Sequence, residues 1–292
     1  MKQLSFFSLP GDEINLPEEI EAALHRGAAL ALSVSGGKDS DAMTWQLLYE
    51  YQRRGWTGEI CLIHADLGRA EWHSTPAYVQ SLAQRTGLPL YIDRHHLHDL
   101  IDHIRARMDK LRADGRLATT PPFPSLGNRY CTSDMKRAPI DRWIRNHFYT
   151  GEVVCAMGLR ADESKDRAKK PIVELREDCC ANKPYRRVWN WNPIHHWSVD
   201  DVWASIDTHG DGQSHPAYAL GNHRLSCAMC VLADVRDLTN GAIENPDTYR
   251  ELCQIEVESG WAFKQDWWLG ALKPELLTDE QYEWYVARGI IQ

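Results

Sequence analysis

The chain has 292 residues, of which 43% are hydrophobic and 25% are charged. Both fractions are ordinary for a globular protein, and this length can bury the core of one large or two modest domains. No apolar run approaches the roughly 20 residues of a membrane-spanning helix, and the first residues lack a signal-peptide core. The net charge of −8 excludes a protein that coats nucleic acid by overall electrostatics alone. We therefore expect a cytoplasmic protein without membrane contact.

The first strong pattern is a strand, a glycine loop and a helix in direct succession. Residues 28–34 form a continuous apolar run, which predicts a strand buried on both faces. The sequence Ser35-Gly36-Gly37-Lys38-Asp39-Ser40 follows, and a helix is predicted from Asp39 to about Gly55. Glycines let the backbone approach a ligand closely, and the free amides at a helix start favour a phosphate. We therefore predict a phosphate-binding loop over residues 35–40.

The side chains of this loop suit a nucleotide polyphosphate and its metal ion. Ser35 and Ser40 can donate hydroxyl hydrogen bonds to phosphate oxygens. Lys38 brings a mobile positive charge, and Asp39 can ligate Mg²⁺. Two other nucleotide-binding loops are excluded, because neither G-x-x-x-x-G-K-[ST] nor G-x-G-x-x-G is present here.

Strands and helices continue to alternate after the loop. We predict strands at 59–64, 89–93 and 153–157, and helices at 75–87, 97–113 and 140–148. This alternation predicts an α/β fold with a doubly wound, mostly parallel sheet. Asp66 follows the second strand, and ligands of such sheets lie beyond the carboxyl ends of the strands, so we expect Asp66 to contact the nucleotide. His95, His96 and His98 follow the third strand, and we interpret them as surface residues, with a metal site as the alternative.

The chain divides into three predicted segments. Residues 1–27 form an N-terminal helical segment, 28–210 a nucleotide-binding domain, and 211–292 a helical C-terminal region. Residues 165–190 are rich in lysine and arginine, and we expect them to form an exposed insertion in the middle segment.

Three of the eight cysteines indicate a metal centre, because a cytosolic chain rarely uses cysteines for disulfides. Cys227 and Cys230 have the C-x-x-C spacing that reaches one metal, and Cys131 can add a third ligand from another loop. These ligands suit a [4Fe–4S] cluster. The alternative is zinc, for which His215 or His223 could be the fourth ligand.

The remaining cysteines have less defined roles. Cys155, Cys179, Cys180 and Cys253 are candidates for a fourth cluster ligand or a persulfide carrier. Cys155 lies in an apolar strand and is expected to be inert. The Cys179-Cys180 pair is expected to be more reactive, because neighbouring cations favour the thiolate.

Several stretches, in order along the chain, resemble the phosphoadenosine phosphosulfate reductase superfamily from Ser35 to about Ala233. They are the 35–40 loop, Asp66-Leu67-Gly68, Arg129-Tyr130-Cys131 with Lys136 and Pro139, Gly158-Leu159-Arg160 with Glu163-Ser164 and Arg167, Asn192-Pro193-Ile194 with Trp197, and Cys227-x-x-Cys230. The loop also resembles the S-G-G-x-D-S loop of the ATP pyrophosphatases. In that family ATP is cut between its α and β phosphates, and a substrate oxygen is adenylated.

The resemblance implies a PP-loop fold of the adenine nucleotide alpha hydrolase type, with ATP, Mg²⁺ and a [4Fe–4S] cluster as cofactors. It implies that the whole 35–40 loop, Asp66 and Gly158 bind the nucleotide. The implied catalytic residues are Lys38, Asp39, Arg160 and Arg167, of which the two arginines recognise phosphate. Cys131, Cys227 and Cys230 would hold the cluster.

Two departures bear on the reaction. Cys131 is followed by Thr132, where cluster-bearing adenylylsulfate reductases have a second cysteine, and the sequence ends at Gln292 without their C-terminal catalytic cysteine. We therefore expect sulfur insertion rather than sulfonucleotide reduction. The architecture looks closest to the ATP pyrophosphatase component of DNA phosphorothioation systems of the Dnd and Ssp types.

This interpretation implies that a cysteine desulfurase donates sulfur and that DNA is the acceptor, presented by partner modification proteins. The expected docking face is cationic and consists of Lys169, Lys170, Arg186 and Arg187. A homo-oligomer is compatible with the sequence. The alternatives are an adenylylsulfate or phosphoadenylylsulfate reductase, a tRNA-thiolating sulfurtransferase, and a nucleotide-binding regulator with a structural cluster.

Overall fold

The computed structural model describes residues 13–265 and 267–292. Residues 1–12, the first part of the predicted N-terminal helical segment 1–27, lie outside these ranges, and so do the predictions made for them. No helix within the described ranges is long and apolar enough to cross a membrane. The helices are α1 Glu18–His25, α2 Lys38–Arg54, α3 Thr75–Thr86, α4 Leu100–Ala113, α5 Tyr130–Thr132, α6 Ala138–His147, α7 Lys165–Ala168, α8 Val199–Thr208, α9 Val235–Glu244, α10 Pro246–Ser259 and α11 Asp279–Ala287.

The strands are β1 Ala29–Ser33, β2 Ile60–Asp66, β3 Leu90–Arg94, β4 Gly151–Met157, β5 Val173–Leu175, β6 Ala181–Asn182 and β7 Tyr185–Trp191. They form one sheet in the order β3-β2-β1-β4-β7-β5, and β6 pairs with β7. The pairs β1–β2, β1–β4 and β4–β7 are parallel, whereas β5 and β6 run antiparallel to β7. The predicted α/β fold with a mostly parallel sheet is confirmed.

The strand order places a topological switch point at β1. Its neighbour β2 comes next in the chain, whereas its other neighbour β4 comes much later. Leu30 of β1 pairs with Ile60 on one side and with Val154 on the other. In sheets of this kind ligands bind at the carboxyl ends of the strands where the order reverses. The segments that follow β1 and β4 are therefore the expected ligand-binding segments.

The described chain forms two compact units that alternate along the sequence. The first unit combines residues up to His64 with Pro76–Asp93 and Ile140–His215. The second combines Ala65–Thr75, Arg94–Pro139 and the residues from Pro216 onward. Each unit has its own hydrophobic core. The predicted division into segments 1–27, 28–210 and 211–292 stays a prediction.

Two buried tryptophans fix the start of the described chain within the first unit. The Trp191 Nε1–H group donates to the Asn15 carbonyl oxygen at 2.7 Å, and Trp197 Nε1–H donates to the Glu13 carbonyl oxygen at 2.7 Å. Both indoles are fully buried in the core. Because a buried indole N–H needs an acceptor, these bonds hold residues 13–15 against the sheet.

Residues 165–190 differ from the predicted exposed insertion. Most of β7 lies in this interval, and it pairs with β4 on one side and with β5 and β6 on the other. Arg186 is buried, and its guanidinium donates to the carbonyl oxygens of Cys179 at 2.8 Å and Phe148 at 3.4 Å. The cationic sequence concealed a strand because this arginine is satisfied by backbone carbonyls instead of water.

A buried carboxylate organises the C-terminal part of the second unit. Glu256 of α10 accepts hydrogen bonds from the backbone N–H groups of Phe263, Leu269 and Gly270 at 2.6, 2.8 and 3.1 Å. The Tyr285 hydroxyl of α11 donates to the same carboxylate at 2.5 Å. These bonds compensate the burial of the glutamate and tie α10, the following loop and α11 together.

Candidate nucleotide site and cysteine site

The loop after β1 is folded back onto the start of α2. Gly36 has φ +77°, a left-handed conformation that favours glycine. The Ser40 hydroxyl donates to the Gly37 carbonyl oxygen at 2.8 Å and accepts from the Ser35 backbone N–H at 3.3 Å. The predicted strand, loop and helix are therefore present, and the loop is held by its own serine at the positive end of the α2 dipole.

Gly158, which follows β4, closely approaches this helix start. A Cβ added at Gly158 would lie 2.6 Å from the Asp39 carbonyl oxygen and 2.8 Å from the Ser40 nitrogen. Both separations are shorter than van der Waals contact, so a side chain here would displace the loop. The structure thus gives Gly158 a role in shaping the loop, in addition to its predicted nucleotide contact.

Two buried cations meet Asp39 at the loop. Lys38 and Arg160 are each only 4% exposed. Lys38 Nζ lies 3.5 Å from Asp39 Oδ2, and Arg160 Nε donates to Asp39 Oδ1 at 2.5 Å. Asp162 also accepts from Arg160 Nη1 through both carboxylate oxygens at 2.6 Å. The structure therefore brings three predicted catalytic residues together, and it adds Asp162, which the sequence analysis missed because carboxylates near a loop are common.

Arg167 is connected to this group through Glu163. The Arg167 guanidinium pairs with Glu163 Oε2, and the same oxygen accepts from the Arg160 backbone N–H at 3.3 Å. Arg167 lies on the short helix α7 and is about one third exposed. The Arg167 side chain forms an ion pair with Glu163. Its role in phosphate recognition stays a prediction.

Asp66 belongs to the second unit, where β2 ends. Its Oδ1 accepts from the Gly68 backbone N–H at 2.7 Å. It lines a cavity of about 400 Å³ together with His95, His96 and His98. The nucleotide contact of Asp66 stays a prediction.

The metal alternative for the three histidines gains no support from the described residues. The one group of three ligand-type side chains with atoms within 4.8 Å of one another is Asp141, Asp178 and Cys179. Asp141 of that group is already paired with the guanidinium of Arg176. We therefore assign no metal ion to either place.

The three predicted cluster ligands come together in the second unit. Cys131, Cys227 and Cys230 all pack against its core. Burial raises the pKa of the Cys227 thiol to about 12, and the other two thiols raise it further, whereas Lys136 lowers it. Burial likewise raises the pKa of Cys131, and Lys136 opposes that shift as well. The three thiols are therefore close enough to interact, and burial favours the protonated form of Cys131 and Cys227.

Backbone contacts fix the position of the C-x-x-C turn. The Ala228 N–H donates to the Ala70 carbonyl oxygen at 2.9 Å, and the Ala233 N–H donates to the Cys230 carbonyl oxygen at 2.9 Å. Gly241 of α9 packs so closely that an added Cβ would lie 2.1 Å from the Ala228 carbonyl oxygen. The turn is therefore held from both sides by atoms of the same unit.

The three sulfurs are not all as close to one another as the ligands of one zinc ion would be. Within the described ranges, no group of three ligand atoms that includes these sulfurs lies within 4.8 Å of one another. One zinc ion with bonds of about 2.3 Å would draw its sulfurs to about 3.8 Å apart, whereas each cysteine of a [4Fe–4S] cluster binds a different iron. The proposed fourth zinc ligands are engaged elsewhere, since His215 is fully buried beside Tyr78 and His223 Nδ1 lies 3.1 Å from Asp234.

The predicted reactivity of Cys179 is wrong. This thiol is fully buried, and burial raises its pKa although Arg176 and Arg145 oppose the shift. Cys180 is partly exposed, and its sulfur accepts from the Val188 N–H at 3.4 Å. Burial raises the pKa of Cys155 to about 12, as expected for an inert residue in β4. Cys253 is also fully buried, and burial raises its pKa well above the ordinary value.

Comparison with known proteins adds the family. Residues 29–233 match the model of the phosphoadenosine phosphosulfate reductase domain. The chain belongs to this reductase-domain family. The matched range contains the 35–40 loop and all three predicted cluster ligands. Membership confirms the resemblance at the family level.

Two curated relatives of this reductase-domain protein match it in part. It is 23% identical over 192 residues to an uncharacterized protein of Methanocaldococcus jannaschii, covering 62% of this chain and 38% of that protein. It is 25% identical over 151 residues to an uncharacterized nin region protein of Escherichia phage lambda, covering 48% of this chain and 51% of the phage protein. The chain thus spans about half or less of the length of these relatives.

Solved structures resemble the chain only distantly. The FMN adenylyltransferase of Candida glabrata, solved with FAD and inorganic pyrophosphate, gives a TM-score of 0.43 at 13% identity, with 72% of this chain and 59% of that chain covered. The U34-tRNA thiolase NcsA of Methanococcus maripaludis, solved with its [4Fe-4S] cluster, gives 0.41 at 14% identity, with 88% and 84% covered. At these TM-scores the likenesses carry no functional argument.

Proposed function

We propose that this chain is an ATP pyrophosphatase that adenylates a nucleic-acid oxygen, namely one of a DNA backbone phosphate, so that sulfur can replace it. The observation that carries the proposal is the 35–40 loop, a glycine turn at the start of α2 with the buried cations Lys38 and Arg160 beside it. Backbone amides, a helix dipole and two cations form a site for a polyphosphate anion. Membership of the reductase-domain family supports an enzyme of sulfur chemistry.

In the first step the loop would hold the β and γ phosphates. The acceptor oxygen forms a bond to the α phosphorus while the bond to the β-phosphate oxygen breaks, and the electron pair leaves with pyrophosphate. Lys38 and Arg160 stabilise the negative charge that develops on the leaving group, which is the dominant requirement of phosphoryl transfer. Asp39 would ligate Mg²⁺ once phosphate oxygens take its place beside these cations.

In the second step a sulfur nucleophile attacks the activated phosphorus of the acceptor, and AMP leaves. Cys131, Cys227 and Cys230, which pack against the same core, would hold a [4Fe–4S] cluster. A cluster with three protein ligands supplies one iron that no cysteine occupies and that is open to a sulfur donor. Lys136 faces two of the thiols and compensates the negative charge of the ligands. We propose a cysteine desulfurase as the source of sulfur, with a dithiol reductant that supplies the two electrons needed to release the persulfide sulfur as sulfide, the nucleophile of this step.

A second candidate is reduction of adenylylsulfate or phosphoadenylylsulfate. The description of the matched family favours it, since the family model is that of a phosphoadenosine phosphosulfate reductase domain. This candidate needs no cleavage of ATP. Thiolation of tRNA and nucleotide binding without turnover remain as further alternatives from the sequence.

An anaerobic assay separates these candidates. The protein would be incubated with ATP, Mg²⁺, cysteine and a cysteine desulfurase, with DNA, tRNA or no nucleic acid, and the formation of AMP, pyrophosphate and thiolated nucleic acid measured. We expect AMP and pyrophosphate in equal amounts, with sulfur incorporated into DNA. Reduction of a sulfonucleotide without any cleavage of ATP would refute the proposal, and thiolation of tRNA alone would reassign the acceptor.

A further inference from the structure

Arg107 of α4 occupies an unusual position in the second unit. Its guanidinium lies over the ring of Tyr130, with Cζ 4.9 Å from the ring centroid. Its Nε atom is buried and has no hydrogen-bond partner within the described ranges. Tyr130 itself is held by its hydroxyl, which donates to the Pro122 carbonyl oxygen at 2.6 Å. The arginine is therefore positioned by stacking, and its outer N–H groups, which form no hydrogen bond within the described ranges, remain available to a ligand.

Other arginines of the same unit are paired with carboxylates. Arg69 binds Asp99, Asp102 and Glu251, and Arg105 of α4 binds Glu258 at 3.0 Å. Arg112, also on α4, binds Asp109 at 2.8 Å. Since carboxylates are plentiful in this acidic chain, a stacked arginine without one is a specific feature of this surface. Unpaired arginine is the side chain best suited to bidentate binding of phosphate.

Two further cations lie near the same tyrosine. Arg129 directly precedes Tyr130 and is exposed, and Lys136 lies one helical turn after Cys131. Both interact electrostatically with the Cys131 thiol. Within residues 13–265 and 267–292, neither side chain forms a hydrogen bond or an ion pair. Arg107 therefore contacts Tyr130, while Arg129 and Lys136 lie near the adjacent Cys131, and we call the region of these three cations the Tyr130 surface.

The Tyr130 surface is open and has an apolar edge. Residues 125–129 form an exposed turn, in which the Ser125 N–H and the Asn128 carbonyl oxygen bond at 3.1 Å. Leu126 at its tip is 70% exposed. An open cationic surface with an exposed apolar side chain suits an extended polyanion with bases, whereas a free mononucleotide requires an enclosed site.

We propose that the Tyr130 surface binds backbone phosphates of the acceptor DNA, one at Arg107 and one at Arg129, beside the cysteines from which sulfur would be delivered. The inference rests on the proposed function for the identity of the acceptor. The cationic face predicted from residues 165–190 is less suitable, because Arg186 is buried and bonded to backbone carbonyls. Phosphate contacts of this kind position a nucleic acid without reading its sequence. The Tyr130 surface would therefore hold DNA of any sequence.

The test is the affinity of the anaerobically purified full chain for a labelled duplex DNA, measured by fluorescence anisotropy at several salt concentrations without ATP. We expect Arg107→Gln combined with Arg129→Gln to weaken binding at least about tenfold. The slope of log affinity against log salt should fall by about 2, since each lost phosphate contact accounts for about 0.9. Arg112→Gln is the matched control, because it removes a paired arginine from the same helix.

A second variant separates the two cationic surfaces. Lys169→Gln, Lys170→Gln and Arg187→Gln together should leave affinity and salt slope unchanged. If instead this triple variant loses binding while the Arg107 and Arg129 variant keeps it, the docking face predicted from the sequence is correct and ours is wrong. Iron content measured on the same samples tests whether the cations only compensate cluster charge; lost iron with unchanged DNA affinity would also refute the proposal.

The failure of this inference can be told from failure of the proposed function. Cleavage of ATP and incorporation of sulfur with unchanged DNA affinity in the double variant would leave the proposed function standing and remove the surface. An RNA of the same sequence and a mononucleotide serve as competitors. Selective binding of RNA that the double variant loses would overturn the choice of DNA, and binding of the mononucleotide with equal affinity would overturn the choice of a polymer.

Discussion

The loop of the first unit and the cysteines of the second unit are prepared for their ligands in opposite ways. At the loop, Lys38 and Arg160 already carry their charges, and Asp39 and Asp162 balance them before a nucleotide arrives. At the cysteines, burial raises the pKa values of Cys131 and Cys227, so the thiols carry no charge until a metal binds. The first site is charged and preorganised. The second acquires its charge together with its cofactor.

The largest expected effect tests the second half of this comparison. Cys227→Ala should abolish iron and sulfide binding, because this thiol interacts with both of the other two cysteines. The measurement is the iron and sulfide content of anaerobically prepared protein, together with its visible absorption. Cys180→Ala is the control and should keep the full iron content. Retention of iron by the Cys227 variant, or zinc in its place, would contradict the cluster assignment.

The next effect tests the charged loop. Lys38→Met should lower the rate of ATP cleavage by about 10²- to 10³-fold, the usual effect of removing one preorganised group from charge stabilisation. Iron content should not change. Lys183→Met removes an exposed lysine and should leave the rate unaltered. If both variants cleave ATP at the rate of the unaltered protein, the loop is not where pyrophosphate leaves.

A smaller effect tests whether loop geometry matters apart from charge. Gly158→Ala places a Cβ 2.6 Å from the Asp39 carbonyl oxygen, which is shorter than van der Waals contact. Because the loop must shift to relieve this contact, ATP binding should weaken about tenfold. The stability loss should be about 1–3 kcal/mol, which is typical of overpacking. Gly127→Ala is the control, since nothing lies within 4 Å of its added Cβ. Calorimetric titration with a non-hydrolysable ATP analogue would measure the difference.

The smallest effect concerns a helix of the second unit away from the cysteines. Thr278→Ala removes the side chain that accepts from the Gln281 N–H at 3.3 Å and caps α11. The free energy of unfolding should fall by about 1 kcal/mol. Iron content should stay constant. Loss of iron on this substitution would mean that the cysteine site depends on the packing of α11. The comparison between the 35–40 loop and the cysteines would then no longer hold in this form.

Much of the fold followed from local patterns. The apolar run before the loop predicted β1, and the alternation that follows predicted β2, α3 and β3 within a few residues. Capping is equally local, since the Ser198 side chain accepts from the Asp201 N–H at 3.2 Å at the start of α8. Such features were predictable because each depends on residues close together in the chain.

The errors came from residues whose surroundings are distant in sequence. Arg186 looked like a surface cation, and Cys179 looked like an activated thiol beside cations. Both are buried, and the carbonyl groups that accept from Arg186 lie as far away in the sequence as Arg145. The pairing state of Arg107 was equally unpredictable, since sequence does not tell which of many carboxylates an arginine meets. In each case, contacts with residues distant in the sequence determine the burial or the pairing of the side chain.

The alternation of the two units along the chain has a consequence for how the protein is assembled. The second unit takes residues 65–75, 94–139 and those from 216 onward, so its core needs segments that are synthesised at widely separated times. Contacts between such distant segments close long loops and slow folding. Cys131 must therefore wait, during synthesis on the ribosome, for Cys227 and Cys230 before all three metal ligands exist. Truncation after the middle of the chain would leave half a core and remove Cys227 and Cys230, two of the three predicted cluster ligands.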